Sequence, residues 1–311
     1  MAAILVIKLS ALGDLVQADG ALRDIRENHP DDHLTVMTTP SYRRYMERCP
    51  WVDEVFVDPR ASRFSLAQML KLRKRLHNRK FDRVYDLQQV GRSRFYYRWL
   101  FPPTWWMGDV PGCAAYLKRD EERICAADHF ALHLGLAGLK VRYVLKGDVS
   151  WMADDVDQLL SAAGLAPGFV LLIPGASKSH DNKRWPHFRE LALQLQEAGI
   201  AAVTVPGPDE LELCQNLPGT MLVHADGCYD IFALAGFARK ASYVIGNDTG
   251  PTHIAAHLGL PGIALYGDHT SPLTTGIQHT RFEVMERDNL MRLSFAEVWQ
   301  RVEAAMAAQA K

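Results

Sequence analysis

The sequence predicts two doubly wound α/β domains in tandem, and three observations carry that prediction. Short continuous apolar runs alternate with stretches of helical periodicity, the pattern of parallel strands buried on both faces and joined by crossover helices. The alternation runs through the first half of the chain and restarts near residue 169. A length of 311 residues exceeds one ordinary core and suits two domains of about 150 residues each.

Taken in order, residues 3–9 read as a buried strand and residues 15–28 as a helix. Residues 34–38 are a strand, 42–48 a helix, and "VDEVFVD" a strand. Residues 65–78 are helical, and "FDRVYDL" is again strand-like. In the second half "FVLLIPG" is a strand ending in Gly175. "WPHFRELALQLQEAG" is a helix, with Pro186 near its first turn and Gly199 just past its end. "IAAVTVPG", "TMLVHAD", "ASYVIGN" and "PGIALYG" are further strands, and residues 294–308 read as a terminal helix. The boundary falls within residues 146–154, after "VRYVLKGD", which gives domains 1–150 and 151–311.

Composition narrows the class. The chain is 48% apolar and 23% charged, with a formal net charge of −1, so no global field favours nucleic acid. Its five cysteines are widely spaced without a CxxC pair, which argues against a disulfide framework or a zinc ribbon and fits a reducing cytoplasm. Lys8 and Asp14 interrupt the apolar start, so it reads as neither a signal peptide nor a membrane span.

Open parallel sheets bind ligands outside the carboxyl ends of their strands. Two such domains facing each other would form a cleft lined by those loops. In the first loop, "IKLSALGDLVQADG", Gly13 makes a turn and Asp14 stands at the mouth of a helix. Asp14 reads as a helix cap or as a carboxylate placed to accept a proton from a substrate hydroxyl. The loop is not GxGxxG, and strand two ends without a ribose-binding acid, which disfavours a dinucleotide-dependent dehydrogenase. The loop "IPGASKSHDNKRWP" joins Gly and Ser residues to a helix start, with Lys183 adding a charge; this suits a phosphate, although no P-loop pattern is present. In "VPGPDELELCQ", Asp209 and Glu210 either complement a helix dipole or meet a ribose hydroxyl.

The stretch "GNDTGPTHIAAHLG" places Asp248 and Thr249 before a helix opened by Pro251, with His253 and His257 on one face. The Glu of HExxH is missing between those histidines, which argues against a catalytic zinc and for two partly buried helix residues. A second helix N-terminus in the same domain as Lys183 suggests a diphosphate ligand.

Three blocks, "ILVIKLSALGDLVQADGALRDIR", "KRWPHFRELALQL" and "GNDTGPTHIAAHLGLPGIALYG", resemble the motifs of the ADP-heptose:lipopolysaccharide heptosyltransferases, glycosyltransferase family 9, in order and spacing over nearly the whole chain. The resemblance implies a GT-B fold: two Rossmann-like domains facing across a cleft, acceptor site in the first and nucleotide-sugar site in the second. It implies inverting transfer of a heptose from ADP-heptose, with no metal and no cofactor beyond the donor itself. Asp14 takes the catalytic-base position, Lys183 the phosphate-binding lysine and Asp248 the sugar-contacting acid. Thr249 and Gly250 fall beside the diphosphate and His253 at the motif's histidine. Ser177 is a phosphate hydroxyl, though "GASKSHDNK" is longer than the family pattern, and Glu210 is a ribose contact.

On the acceptor side, Ser10, Gly13, Arg60, Arg63 and Arg92 are the expected contacts. Residues 60–98 hold twelve Lys or Arg against two acids, Asp82 and Asp86. Part of that is a solvated helix face, but such a concentration suits an anionic glycolipid such as a Kdo-bearing lipid A core. The segment "RFYYRWLFPPTWW" holds seven aromatics and reads as domain core or as a patch at the inner leaflet of the inner membrane. The expectation is a cytoplasmic enzyme peripheral to that membrane, with no nucleic-acid partner. Rival readings are a GT-B enzyme with another donor, a sugar epimerase, or a non-catalytic nucleotide- or lipopolysaccharide-binding protein; fold alone does not separate them.

Overall fold

A computed structural model describes residues 1–118, 124–176, 184–268 and 270–309. The chain divides into two compact units, Met1–Trp151 and Met152–Lys311. Each holds one six-stranded parallel sheet flanked by helices.

The first unit runs β1 (Ala3–Ile7), α1 (Leu12–Gln17), α2 (Asp19–Asn28), β2 (His33–Thr38), α3 (Arg43–Arg48), β3 (Glu54–Val57), α4 (Leu66–Arg79), β4 (Arg83–Asp86), α5 (Gly91–Trp99), β5 (Trp105–Gly108), β6 (Ala115–Tyr116) and α6 (Ala126–Leu136). The second runs α7 (Asp157–Ala162), β7 (Val170–Ile173), α8 (Phe188–Glu197), β8 (Ala202–Thr204), α9 (Leu211–Gln215), β9 (Thr220–Met221), α10 (Ile231–Lys240), β10 (Tyr243–Asn247), α11 (Gly250–His257), β11 (Gly262–Tyr266), β12 (Phe282–Glu286) and α12 (Phe295–Gln309).

The sheet orders are β3-β2-β1-β4-β5-β6 and β12-β11-β10-β7-β8-β9. Read from its own first strand, each unit has the order 3-2-1-4-5-6, so the winding reverses between its first and fourth strands. In the first unit the reversal separates β1 from β4, paired Ile4 to Arg83 through Ile7 to Asp86. In the second it separates β7 from β10, paired Val170 to Tyr243 through Ile173 to Gly246. Loops leaving the carboxyl ends at such a reversal diverge and leave a crevice, which is where ligands of these sheets bind.

Alternating burial explains the apolar runs. Along β7 and β10, Leu171, Ile173 and Val244 pack into one core layer, while Val170, Leu172, Tyr243 and Ile245 pack into another. Both faces are covered, so the strands read as continuous rather than alternating.

The structure departs from the sequence reading in three places. The helix expected over residues 15–28 breaks at Ala18, the C-cap of α1 and N-cap of α2. At Gly20 a β-carbon would fall 2.2 Å from the Tyr143 carbonyl oxygen, so α2 approaches the 143–144 backbone directly. "TMLVHAD" gives only the two-residue β9 at a sheet edge. The short strands β5 and β6 and the edge strand β12 carry no apolar run long enough to announce them. Of the two readings of the aromatic segment the core one holds: Tyr96, Phe101 and Trp106 are buried with Leu5, Ile7, Met69 and Leu72, and Phe95 and Tyr97 pack against them. Of that segment, Trp99 alone is a largely exposed aromatic.

Candidate active site

In the first unit, the loop after β1 is shaped by the loop after β4. Leu9 N and Ser10 N donate to Gln88 Oε1 at 2.7 and 3.2 Å. Gln88 and Gln89 are held in turn by Asp86 Oδ1, which accepts from their backbone N–H groups at 3.0 and 2.9 Å. Asp86 is fully buried, and burial pushes its pKa up to about 6. None of these three residues was given a role from the sequence. Their signal would have been the polar "DLQQ" at the end of an apolar strand.

Asp14 lies in the first turn of α1, half buried. Its Oδ2 accepts from Ala11 N at 2.9 Å, the reciprocal half of a capping box. Its second oxygen takes no hydrogen bond among the described residues. The two readings of Asp14 therefore coexist: one oxygen fixes the carboxylate, the other can receive a proton. Gly13 sits beside it in the same turn.

The phenol of Tyr42, which sequence reasoning passed over, joins this group. Burial raises its pKa; the Leu12 backbone bond opposes that, the charge of Asp14 adds to it and Arg60 counters it. Arg60 is exposed, adopts the left-handed conformation at φ 52° and donates from Nη1 to Ser10 Oγ at 3.3 Å. Ser10, Asp14, Tyr42 and Arg60 thus cluster where a polar acceptor would meet both a carboxylate and a cation.

Arg60 holds its conformation because its N–H donates to Asp58 Oδ1 at 2.8 Å. Asp58 has no exposed surface and is gripped by Arg92 from Nε at 3.1 Å and Nη2 at 3.2 Å, and by the Tyr96 hydroxyl. Arg92 Nη1 also donates to Ala61 O at 3.0 Å. Expected as an acceptor contact, Arg92 is instead committed to the buried Asp58 and shapes the loop that presents Arg60. Arg63 is exposed and rests on Gly91 O at 3.3 Å.

In the second unit, Ser177 and Lys183 lie outside the described residues, so the expected phosphate loop is defined at its two ends only. Asn247, at the end of β10, ties those ends together. Its Nδ2 donates to Pro174 O at 2.8 Å, and its Oδ1 accepts from Trp185 N at 3.1 Å. Asn247 is completely buried, and the sequence reading assigned it no role.

At the mouth of α11, Thr249 is the N-cap residue, but its side chain makes no capping bond. Thr252 Oγ1 donates to Asn247 O at 2.6 Å instead. A β-carbon at Gly246 would fall 2.3 Å from that hydroxyl, which accounts for a glycine inside the strand. Gly250 opens the helix and Pro251 follows, so first-turn backbone donors are left for a ligand.

Asp248 is nearly buried, and its Oδ1 lies 3.2 Å from His253 Nε2. Tyr266, pushed up by burial first and then by Asp248, is a second neighbour of that carboxylate. His257 directs Nδ1 to His253 O at 2.9 Å, and burial lowers its pKa to about 4. The two histidines therefore serve a carboxylate and a carbonyl.

Glu210 Oε2 accepts from Gly207 N at 3.0 Å. A β-carbon on Gly175 would fall 1.7 Å from Glu210 Oε1, so only glycine lets this carboxylate lie against the loop after β7. Glu210 borders a cavity of about 240 Å³ with Gly207, Tyr229, Asp230, Leu234 and Pro251. Asp230 caps α10 through the N–H groups of Phe232 and Ala233, both at 3.0 Å. The cavity combines apolar walls with the carboxylates of Asp209, Glu210 and Asp230, and Pro251 links it to the mouth of α11.

Known proteins resemble this chain in sequence and in fold. The family model for glycosyltransferase family 9 (heptosyltransferase) matches residues 129–294. Lipopolysaccharide heptosyltransferase 2 of Salmonella typhimurium is 26% identical, over 89% of this chain and 86% of its own. Among solved structures, Escherichia coli heptosyltransferase WaaC with ADP-2-deoxy-2-fluoro heptose superposes with TM-score 0.74 at 21% identity, covering 97% of this chain and 99% of that one. Escherichia coli ADP-heptose lps heptosyltransferase II superposes with TM-score 0.73 at 21% identity, covering 99% and 100%. The fold is that of these GT-B enzymes, and the chain belongs to glycosyltransferase family 9, the heptosyltransferases.

Proposed function

We propose that this glycosyltransferase moves a heptose from ADP-heptose to an inner-core sugar of lipopolysaccharide, with inversion and without a metal. Two observations carry the reading: a fixed carboxylate with one free oxygen, Asp14, after the first strand of the first unit, and an open helix mouth at Gly250, after the fourth strand of the second. The relatives named above act in lipopolysaccharide synthesis, and one is described with an ADP-heptose analogue.

In this reading Asp14 takes the proton of the acceptor hydroxyl as its oxygen attacks the anomeric carbon. The bond from that carbon to the diphosphate breaks, and ADP leaves. Backbone N–H groups near Thr249 and Gly250, together with Lys183 and the Ser177 hydroxyl, meet the charge that develops on the diphosphate. Asp248, oriented by His253, faces the sugar. Glu210 meets the ribose, and the cavity beside it takes the base. Ser10, Gly13, Arg60 and Arg63 meet an anionic acceptor, so the enzyme works at the inner face of the inner membrane. No helix among the described residues is long and apolar enough to cross it.

Mass spectrometry of transfer to defined truncated lipopolysaccharides, with ADP-heptose set against UDP- and GDP-sugars, tests the reading. Transfer from ADP-heptose is expected. A preference for another donor would overturn it. Asp14→Asn should keep ADP binding and lower transfer by on the order of 10²-fold or more; turnover at the parent rate would leave Asp14 as a cap only.

A further inference from the structure

Large exposed apolar side chains concentrate at the start of α4. Phe64, Leu66 and Leu70 are 95%, 72% and 55% exposed. Leu66 and Leu70 stand one turn apart on the outward face, while Met69, Leu72 and Leu76 fill the core from the inward face. The flanking charge is of one sign. Between Asp58 and Asp82 the sequence contains eight Lys or Arg and no Asp or Glu. Arg79 pairs with Glu54, and Arg75 lies over the Phe56 ring and donates to Val57 O. Lys71 and Lys74 have no acidic partner among the described residues.

A second apolar pair sharpens the point. Leu132 and Leu136 on α6 are 56% and 58% exposed with the same spacing, but residues 126–139 contain no Lys or Arg. An apolar stripe framed by unpaired cations is complementary to a surface with negative headgroups above an acyl interior. A stripe without the cations is not.

We propose that Phe64, Leu66 and Leu70, with Lys71 and Lys74 beside them, are an insertion patch that seats the first unit on an anionic phospholipid surface. The apolar chains enter the acyl boundary, and the lysines reach headgroup phosphates while their stems stay in the interface. The patch follows the Arg60 loop directly in the chain, so the acceptor contacts would be held at the membrane plane. This rests on the acceptor being a glycolipid.

The test is sedimentation of the full chain with phosphatidylcholine vesicles, with and without phosphatidylglycerol, alongside transfer to a deacylated, soluble acceptor. The parent protein should bind the anionic vesicles and release them in salt. Phe64→Ser/Leu66→Ser/Leu70→Ser should weaken binding at least about tenfold. Lys71→Gln/Lys74→Gln should weaken it by roughly 30-fold, about fivefold per cation. Both variants should transfer to the soluble acceptor at the parent rate, and Leu132→Ser/Leu136→Ser should bind as the parent does. Undiminished binding by the triple variant, equal binding to neutral vesicles, or an equal loss in the α6 variant would overturn the patch. Intact vesicle binding with no transfer from ADP-heptose would instead overturn the proposed function and leave the patch standing.

Discussion

After their first strands, the two units pin the following loop in the same way with different chemistry. In the first, Gln88 reaches from the end of β4 to accept Leu9 N and Ser10 N. In the second, Asn247 reaches from the end of β10 to Pro174 and Trp185. Each pin is a buried amide at the point where the winding reverses. Around the pin the first unit buries the carboxylates Asp58 and Asp86 and sets His129 and His133 against Gln89, while the second buries His253 and His257 beside Asp248. An amide can donate and accept without charge, so it holds a loop at any pH. The groups around it carry the charge-dependent work and give the units different sensitivities.

The largest expected effect breaks the first unit alone. Arg92→Ala leaves the buried Asp58 without its ion pair and should cost about 3–5 kcal/mol of that unit's stability. Hydrogen exchange read peptide by peptide should show loss of protection around residues 58–61 and 91–99, with β7 to β12 unaffected. Loss spread equally over both units would show that they unfold together.

Next is the response to pH. Asp86 has its pKa raised by burial from 3.8 to about 6. The folded state then holds a proton more tightly than the unfolded chain, so this contribution is full below about pH 4 and is lost as pH rises through 6. Asp19, raised to about 6 by burial, acts in the same direction. His257 has its pKa lowered from 6.5 to about 4 by burial first and by His253 second. Its contribution is full above pH 6.5 and is lost as pH falls toward 4. Each shift corresponds to roughly 3 kcal/mol. Exchange protection measured from pH 4 to 7 should therefore slope oppositely around Asp86 and around His257, with His133, lowered by burial in the first unit, working against the Asp86 slope. Asp86→Asn should flatten the first slope and His257→Gln the second. Parallel slopes would remove the contrast.

The smallest effect concerns the second unit's cavity. Gly175→Ala puts a methyl where the Glu210 carboxylate lies, and that flexible side chain must swing away. ADP affinity by calorimetry should fall roughly tenfold, with little change in turnover at saturating donor. Unchanged affinity would separate Glu210 from the nucleotide site.

Much of this was legible from sequence because it is local. Apolar runs, a capping acid at Asp14 and the proline after Gly250 each sit within a few residues of what they organise. Arg92 misleads for the opposite reason: its partner Asp58 lies 34 positions away, and nothing local separates a committed arginine from a free one. Gln88 and Asn247 escape notice likewise, acting across 79 and 62 positions. The aromatic segment allowed two readings, core or interface, because its arginines suggest solvent while the rings they alternate with close the core. Conversely, Phe64, Leu66 and Leu70 look like ordinary helix interior until the inward face proves to be filled by others.

The amide of Asn247 also has a consequence for the order of events during synthesis. Pro174 leaves the ribosome long before Asn247 does, so the loop after β7 emerges without the group that fixes its ends. Local structure such as α8 can form early, but the donor loop waits for a strand made about 70 residues later. A nascent chain stopped before β10 would carry the loop after β7 without the amide that ties its ends, until the fourth strand of the unit had docked.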